Sequence, residues 1–486
     1  MTVYTIFLLV GIAALVLSLL RYFVFQQKDV VIPFLQHFVG SLFVFSGFVK
    51  AVDPLGTSYK MHEYFEAFAS ENVYFLSAAM NEKLRALWEL IGNFSTPMAI
   101  IMIAAEMFFG IMLIVGWRPR LTVAVVWFLT LFFTFLTGYT YLSGFTITHK
   151  FLAMAGIVML LYALIAVTKN PRTRSVLLVS ATGLLILMLA LIKFTGIFFT
   201  KEFVESGMKV TDCGCFGDFI KLRPWETFYK DVFLDFLILG LVLGVDRIKE
   251  WFVGGILKGI ATIAAVASLF LCIYCTYLNE PLIDFRPYAI GNNVRELREV
   301  KKQPVIEKTF IYRSNKTGQN KTFSEDDVMH GKWDYTEYDS LIERKDVVLD
   351  PGIPAKIVNL FIEDDEGQEI TDSLLSDPNY SLMVVSWRLS ETHTDAFKEL
   401  NAIAQQCDKI GVKFYAVVMN DGHVEEFRHK NQTAYPFYHN DETALKTMLR
   451  SNPGLMLLKN GVVINKWHYR HLPTFEELNK NYFSKK

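Results

Sequence analysis

Eight stretches of this chain are apolar enough and long enough to cross a lipid bilayer: residues 4–24, 30–50, 96–116, 121–142, 151–168, 175–199, 227–245 and 252–278. A hydrocarbon core about 30 Å thick takes about 20 mostly apolar residues in one helix. Backbone groups in lipid must bond within their own segment, so such stretches read as helices packed into a bundle. After Asn279 no apolar run is long enough to span. Hydrophobic residues make up 52% of the chain, yet mean hydropathy is only +0.29, so a polar part must balance the apolar one. The reading is a polytopic α-helical bundle of about eight spans, with the lipid bilayer as its partner, followed by a water-soluble part. A formal net charge of −1 leaves no bulk basic footprint for nucleic acid.

Basic residues then orient the bundle. Arg21 and Lys28 follow the first span, Arg118 and Arg120 fill the link after the third, "KNPRTR" follows the fifth, and Arg247 and Lys249 follow the seventh. These are alternate links, so they share one side, and the positive-inside rule makes that side cytoplasmic. The N-terminus, residues 200–226 and everything after residue 279 are then expected outside. The first span has no basic start and no small-x-small site before "RYFVFQQK". It is expected to stay as a helix and not to be cleaved as a signal peptide.

The soluble part is expected to divide again. Residues 280–351 read as a polar linker in which "TFIYRSNKTGQNKTFSEDD" forms strand, glycine turn and strand. "VNLFIEDDEGQEITD", residues 358–372, repeats that pattern. Beyond it "SLMVVSWRL" is a buried strand, "TDAFKELNAIAQQCDKIG" an amphipathic helix ending at Gly411, and "KFYAVVMN" a strand. "DETALKTMLRSN" is a helix, and "PGLMLLKNGVVINKW" a hairpin with an Asn-Gly turn. That alternation implies one small α/β domain over residues 352–486.

Four of the five cysteines form two close pairs. Cys213 and Cys215 lie in the polar gap "VTDCGCFGDF". A Cys-x-Cys pair is too close for an unstrained disulfide in a regular element, although Gly214 eases it. Outside the cytoplasm the pair meets oxidising conditions, so exchange, bridging to other cysteines, and a simple tight turn all stay open. Only Asp212 and Asp218 are at hand as further ligands, so no metal site is expected. Cys272 and Cys275 fall on one face near the outer end of the last span, which is either packing or a second redox pair. Cys407 shares a helical face with Phe397, Leu400 and Ala404 and reads as core.

Ionisable groups inside spans are costly and default to function. Glu106 lies mid-span, Asp235 one turn after Asp231, His37 in the second span, Lys50 at its end, and Lys193 in the outer third of the sixth. Glu106 is expected either to pair with Lys50 or His37, or to serve proton or quinone chemistry.

"GSLFVFSGFVKAVDPLGTSYKMHEYF", "AAEMFFGIMLIVGW" and "DCGCFGDFIKLRPWETFYKDVFLD" together resemble the DoxX/MauE family of membrane proteins, with Cys-Gly-Cys-Phe-Gly as the MauE-type signature. The resemblance covers roughly residues 30–245, within a membrane domain of residues 30–250. The family core has four spans. Here a leading helix (1–29), an eighth helix (251–279) and an inserted pair (151–199) are added. Residues 352–486 resemble a thioredoxin-like domain, with "SNPGLMLLKNGVV" as its proline and hairpin element and Pro453 as a candidate cis proline. Its active-site cysteines are missing, since Trp387, Arg388, Leu389 and Ser390 stand at that position. The fusion is similar to DoxX-family proteins of Bacteroidetes.

The resemblance implies a bacterial inner-membrane protein with a periplasmic C-terminal domain. It carries functional roles to Lys50, Asp53, Glu106, Cys213 and Cys215. The function expected is thiol–disulfide handling for exported proteins. Cys213 and Cys215 would exchange with periplasmic protein clients, and Cys272 and Cys275 would pass electrons to a membrane quinone. The other reading is a non-enzymatic assembly or scaffold factor.

Overall fold

The computed structural model describes residues 3–24, 26, 29–71, 77–143, 156–158, 160–162, 164–165, 168, 170–192, 210, 214, 216–217, 219–220, 222–252, 255–331, 334, 336–338, 340–350 and 352–484. The chain divides into two compact units, Met1–Ile283 and Asp284–Lys486.

The first unit is helical. Its labelled helices are α1 (Val3–Val24), α2 (Val31–Val52), α3 (Pro54–Ala69), α4 (Ala78–Gly92), α5 (Ser95–Val115), α6 (Pro119–Ser143), α7 (Pro171–Ile192), α8 (Pro224–Leu243) and α9 (Gly255–Ile273). A π-turn, Tyr274–Leu278, prolongs α9. Among the described residues, α1, α2, α5, α6 and the α9 stretch to Leu278 have the length and apolarity to cross a membrane. They coincide with the first four expected spans and the last. The expected span 227–245 is α8, which Glu226, Lys230, Asp231 and Asp235 make less apolar than those five. The span expected at 175–199 starts on α7, and its residues 193–199, including Lys193, lie outside the described residues. The span expected at 151–168 is described only in short helical pieces.

Helices α3 and α4 were not anticipated from the sequence. Pro54 starts α3, and the Asp53 carboxylate accepts from Gly56 N–H at 3.4 Å. Ser77 caps α4 in the same way through Met80 N–H at 3.3 Å. Trp88 of α4 packs on Phe65 and Phe68 of α3, with centroids 6.1 and 5.2 Å apart.

Helix α2 organises the unit, packing against α1, α5, α8 and α9. Its contact with α5 is backbone-close. A β-carbon on Gly40 would come within 3.0 Å of Gly110 O, and one on Gly47 within 2.7 Å of Met107 Cγ. Without a hydrophobic drive between helices in lipid, such small-residue contacts supply the packing. Helix α1 buries one stripe, Ile6, Val10, Ala14, Ser18 and Arg21, so it is integrated into the bundle.

The second unit holds two sheets. Strands β1 (Val305–Arg313), β2 (Asn320–Ser324) and β3 (Ser340–Asp350) form an antiparallel sheet in the order β2-β1-β3. The hairpin expected here therefore gains a third strand. The second expected hairpin, at 358–372, is reduced to the single bridge Glu363–Glu369 around a turn. Strands β4 (Tyr380–Ser386), β5 (Lys413–Val418), β6 (Phe437–His439), β7 (Gly454–Lys459) and β8 (Val462–His468) form a sheet in the order β6-β5-β4-β7-β8. The pairs β4–β5 and β5–β6 are parallel, and β4–β7 and β7–β8 antiparallel.

Both faces of the five-stranded sheet are covered, which is why β4 reads as one continuous apolar run. Leu382, Val384, Leu455 and Leu457 face the helix Ala396–Ile410, while Met383, Val385, Met456 and Leu458 pack with Ile357, Leu360 and Leu445. Cys407 lies in the first layer, fully buried, and burial pushes its thiol up to about 12. That thiol is inert core, as expected. The Asn452–Pro453 peptide is cis.

Candidate functional site

The last turn of α2, Val49–Asp53, gathers most of the residues singled out in the membrane unit. Lys50 Nζ lies 2.8 and 3.1 Å from the two carboxylate oxygens of Glu106 on α5. Both residues are buried, at 4% and 2% exposure, so this is a desolvated ion pair and not a surface one. The ammonium also sits 4.5 Å from the centre of the Phe133 ring on α6, a cation–π contact. Of the two partners expected for Glu106, the structure selects Lys50.

His37 has its own circuit at the opposite end of α2. Trp251 Nε1–H donates to His37 Nε2 at 3.1 Å. An indole nitrogen only donates, so Nε2 must carry a lone pair. Nδ1 then bears the hydrogen and donates to Ser18 Oγ at 3.2 Å, and Ser18 donates to Ala14 O at 2.6 Å. The imidazole is thereby fixed as one neutral tautomer that ties α1 to α2.

Cys272 packs in a cluster with Ala51 of α2 and Ile100, Ile103 and Met107 of α5. Cys272 and Cys275 are free thiols at 0% and 1% exposure. Thr276 Oγ1 donates to Cys272 O at 2.7 Å, anchoring the π-turn that carries Cys275. A π-turn rotates the side chains that follow it relative to an α-helix.

Cys213 and Cys215 lie outside the described residues, as do Asp212 and Asp218. Parts of their loop are described and lead to the same place. Gly214 and Gly217 hold φ of +59° and +50°, where a side chain would be strained. Gly214 lies against Lys60 of α3, and Gly217 against Val49 of α2. Phe216 is buried, and the rings of Phe216 and Phe219 lie 6.0 and 5.9 Å from Phe45 of α2. The described part of this loop and Cys272 thus both touch the C-terminal half of α2, the loop at Phe45 and Val49 and Cys272 at Ala51.

In the second unit, the position after β4 holds no cysteine. Trp387 is buried, and Leu389–Glu391 form a short turn. Ser386 Oγ donates to Asn452 Oδ1 at 2.7 Å, and His393 N–H to Asn452 O at 3.1 Å. The His393 ring stacks on Tyr469 with centroids 4.1 Å apart. These contacts tie Ser386 and His393 to Asn452, and no cysteine stands among them.

His468, beside Tyr469, supplies a pH-dependent test. Burial, then the charges of Arg470, His471 and His393, push its pKa down to about 4. Its Nδ1 accepts from Arg470 N–H at 3.2 Å, a bond the neutral ring can make. In the unfolded chain it protonates near 6.5. Between these values the unfolded state binds more protons, so this contribution is complete above about pH 6.5 and is lost as pH falls towards about 4. The full loss is about 3 kcal/mol. Urea unfolding of the second unit should show that slope, and His468→Asn, which keeps an acceptor for Arg470, should flatten it. Equal slopes in both proteins would reject the assignment.

Among the described residues no group of three or more His, Cys, Asp or Glu side chains could hold a metal ion. No family model, curated protein or solved structure matches the chain.

Proposed function

We propose that this protein handles thiols and disulfides at a bacterial inner membrane, through a DoxX/MauE-like core. The single observation that supports this best is convergence. The Cys-Gly-Cys loop, through Gly217 and Phe216, and the Cys272 face both pack on the end of α2 that carries Lys50 and Asp53. In the reaction, a periplasmic client dithiol attacks the Cys213–Cys215 disulfide. The client becomes a disulfide, and the pair takes up two electrons and becomes a dithiol. A Cys272–Cys275 disulfide accepts those electrons in turn, and a membrane quinone reoxidises that pair, gaining two electrons and two protons as a quinol. The second unit, in a thioredoxin-like fold without active cysteines, binds the client. Its order β6-β5-β4-β7-β8, with parallel β4 and β5 and a closing antiparallel hairpin, supports that fold.

The burial of both thiols at 272 and 275 favours a second reading, a scaffold whose cysteines only pack. Serine variants separate the two. Changing Cys213 or Cys215 to Ser should trap the remaining cysteine in a mixed disulfide, visible on a non-reducing gel after acid quench, and absent from the double variant. Cys272→Ser or Cys275→Ser should leave that exchange intact and stop turnover. Four single variants without any adduct would overturn the relay, and an equal loss of stability in the single and double variants at 213 and 215 would favour the scaffold.

A further inference from the structure

Helix α8 brings Asp231 and Asp235, one turn apart, onto the face that meets α6. The two carboxyl groups are not treated alike. Lys230 Nζ lies 2.6 Å from Asp231 Oδ1, and Thr137 Oγ1 donates to Asp231 Oδ2 at 3.1 Å. Asp235 Oδ2 receives one hydroxyl, Thr134 Oγ1, at 2.7 Å. Asp235 Oδ1 is enclosed and has no hydrogen-bond partner. The other titratable group facing it among the described residues is Tyr162, a neutral phenol that is itself buried.

Among the described residues, one ammonium therefore stands against two carboxyl groups on one helix face. A lone carboxylate held by a single hydroxyl in a low-dielectric interior is far costlier than the neutral acid with one unmade bond. We infer that Asp235 is a proton-binding site within the membrane unit, holding a proton that its neighbour Asp231 does not carry. Asp231 is one turn away, and Lys230, which neutralises Asp231, reaches over the Phe216 ring at 5.3 Å. A proton leaving Asp235 makes a second negative charge on this face, so charge near Lys230 governs its release. The assignment does not depend on the thiol relay.

The test is infrared spectroscopy of the full-length protein in lipid, where a protonated carboxyl has a carbonyl stretch separate from that of a carboxylate. The wild-type spectrum should contain such a band, shifting in deuterated water. Asp235→Asn, nearly isosteric with the acid, should lose it. Asp231→Asn combined with Lys230→Met, which removes the cation together with its partner, should keep it, and Asp235→Glu should move it. If Asp235→Asn fails to insert, the wild-type and Lys230→Met/Asp231→Asn spectra still decide. No band in either of these, a band kept in Asp235→Asn, or a band abolished by adding sodium ions would each overturn the assignment, the last by making the ligand a metal cation.

Discussion

Replacing Lys50 by Met is expected to destabilise the membrane unit by about 3–5 kcal/mol, because Glu106 would remain buried with no cation beside it. Glu106→Leu should cost a similar amount for the opposite reason. The double variant, Lys50→Met with Glu106→Leu, should recover most of the loss, since an apolar pair of similar volume removes both desolvation penalties. Denaturation of the purified protein in mixed micelles would give the cycle, and the coupling term is the decisive quantity. Single variants that each lose under about 1 kcal/mol would mean that water reaches the pair. If the double variant folds but loses the proposed thiol exchange, the pair has a role beyond holding α2 to α5.

The choice of Lys50 over His37 could not be made from the sequence. It depends on the level at which α2 and α5 cross, and a glycine pattern sets that level. Gly47 faces Met107 and Gly40 faces Gly110, so Lys50 lies at the depth of Glu106 while His37 lies at the far end with Trp251. The five strongly apolar helices were legible because lipid demands uninterrupted apolar runs. Helices α3 and α4 were missed because they answer a different demand. They pack on one another through Trp88, Phe65 and Phe68, and charged residues such as Lys60, Glu63, Glu82, Lys83, Arg85 and Glu89 interrupt their apolar ones, so no continuous run marks them.

In the second unit, β4, β5 and the Asn-Gly hairpin were legible from buried runs and turn chemistry. Strand β3, "SLIERKDVVLD", was not, because four consecutive charged residues, Glu343, Arg344, Lys345 and Asp346, break its apolar pattern. The segment at 358–372 looked like a second hairpin. Its Glu363 instead bridges to His439 as well as to Glu369, so its backbone bonds are shared with β6. The cysteine pairs were visible as residues, but the contacts of Phe216 and of Cys272 with the last turns of α2 join chain segments more than a hundred residues from that helix.

Asp284→Ala should cost the second unit about 3–5 kcal/mol, a large share of the roughly 5–15 kcal/mol that holds a typical domain. Asp284 accepts from Arg286 Nε and Nη2 at 2.8 and 2.9 Å and also contacts Lys466 of β8. Arg286 and Lys466 are 1% and 3% exposed, so the variant would strand two buried cations. Asp284 also clamps the first residues of the unit onto β8, which makes the loss global. Burial alone would raise its pKa, but Arg286 and Lys466 outweigh burial and hold the carboxyl well below the usual range. A depressed carboxyl stabilises above its unfolded value, about 3.9, and that stability is lost as pH falls below it. The window lies under that of His468, so the two are separable. Asp284→Asn should flatten the acid limb below about pH 4 and leave the limb between about 4 and 6.5 as it is. An acid limb unchanged in Asp284→Asn would show that the clamp contributes nothing to folding.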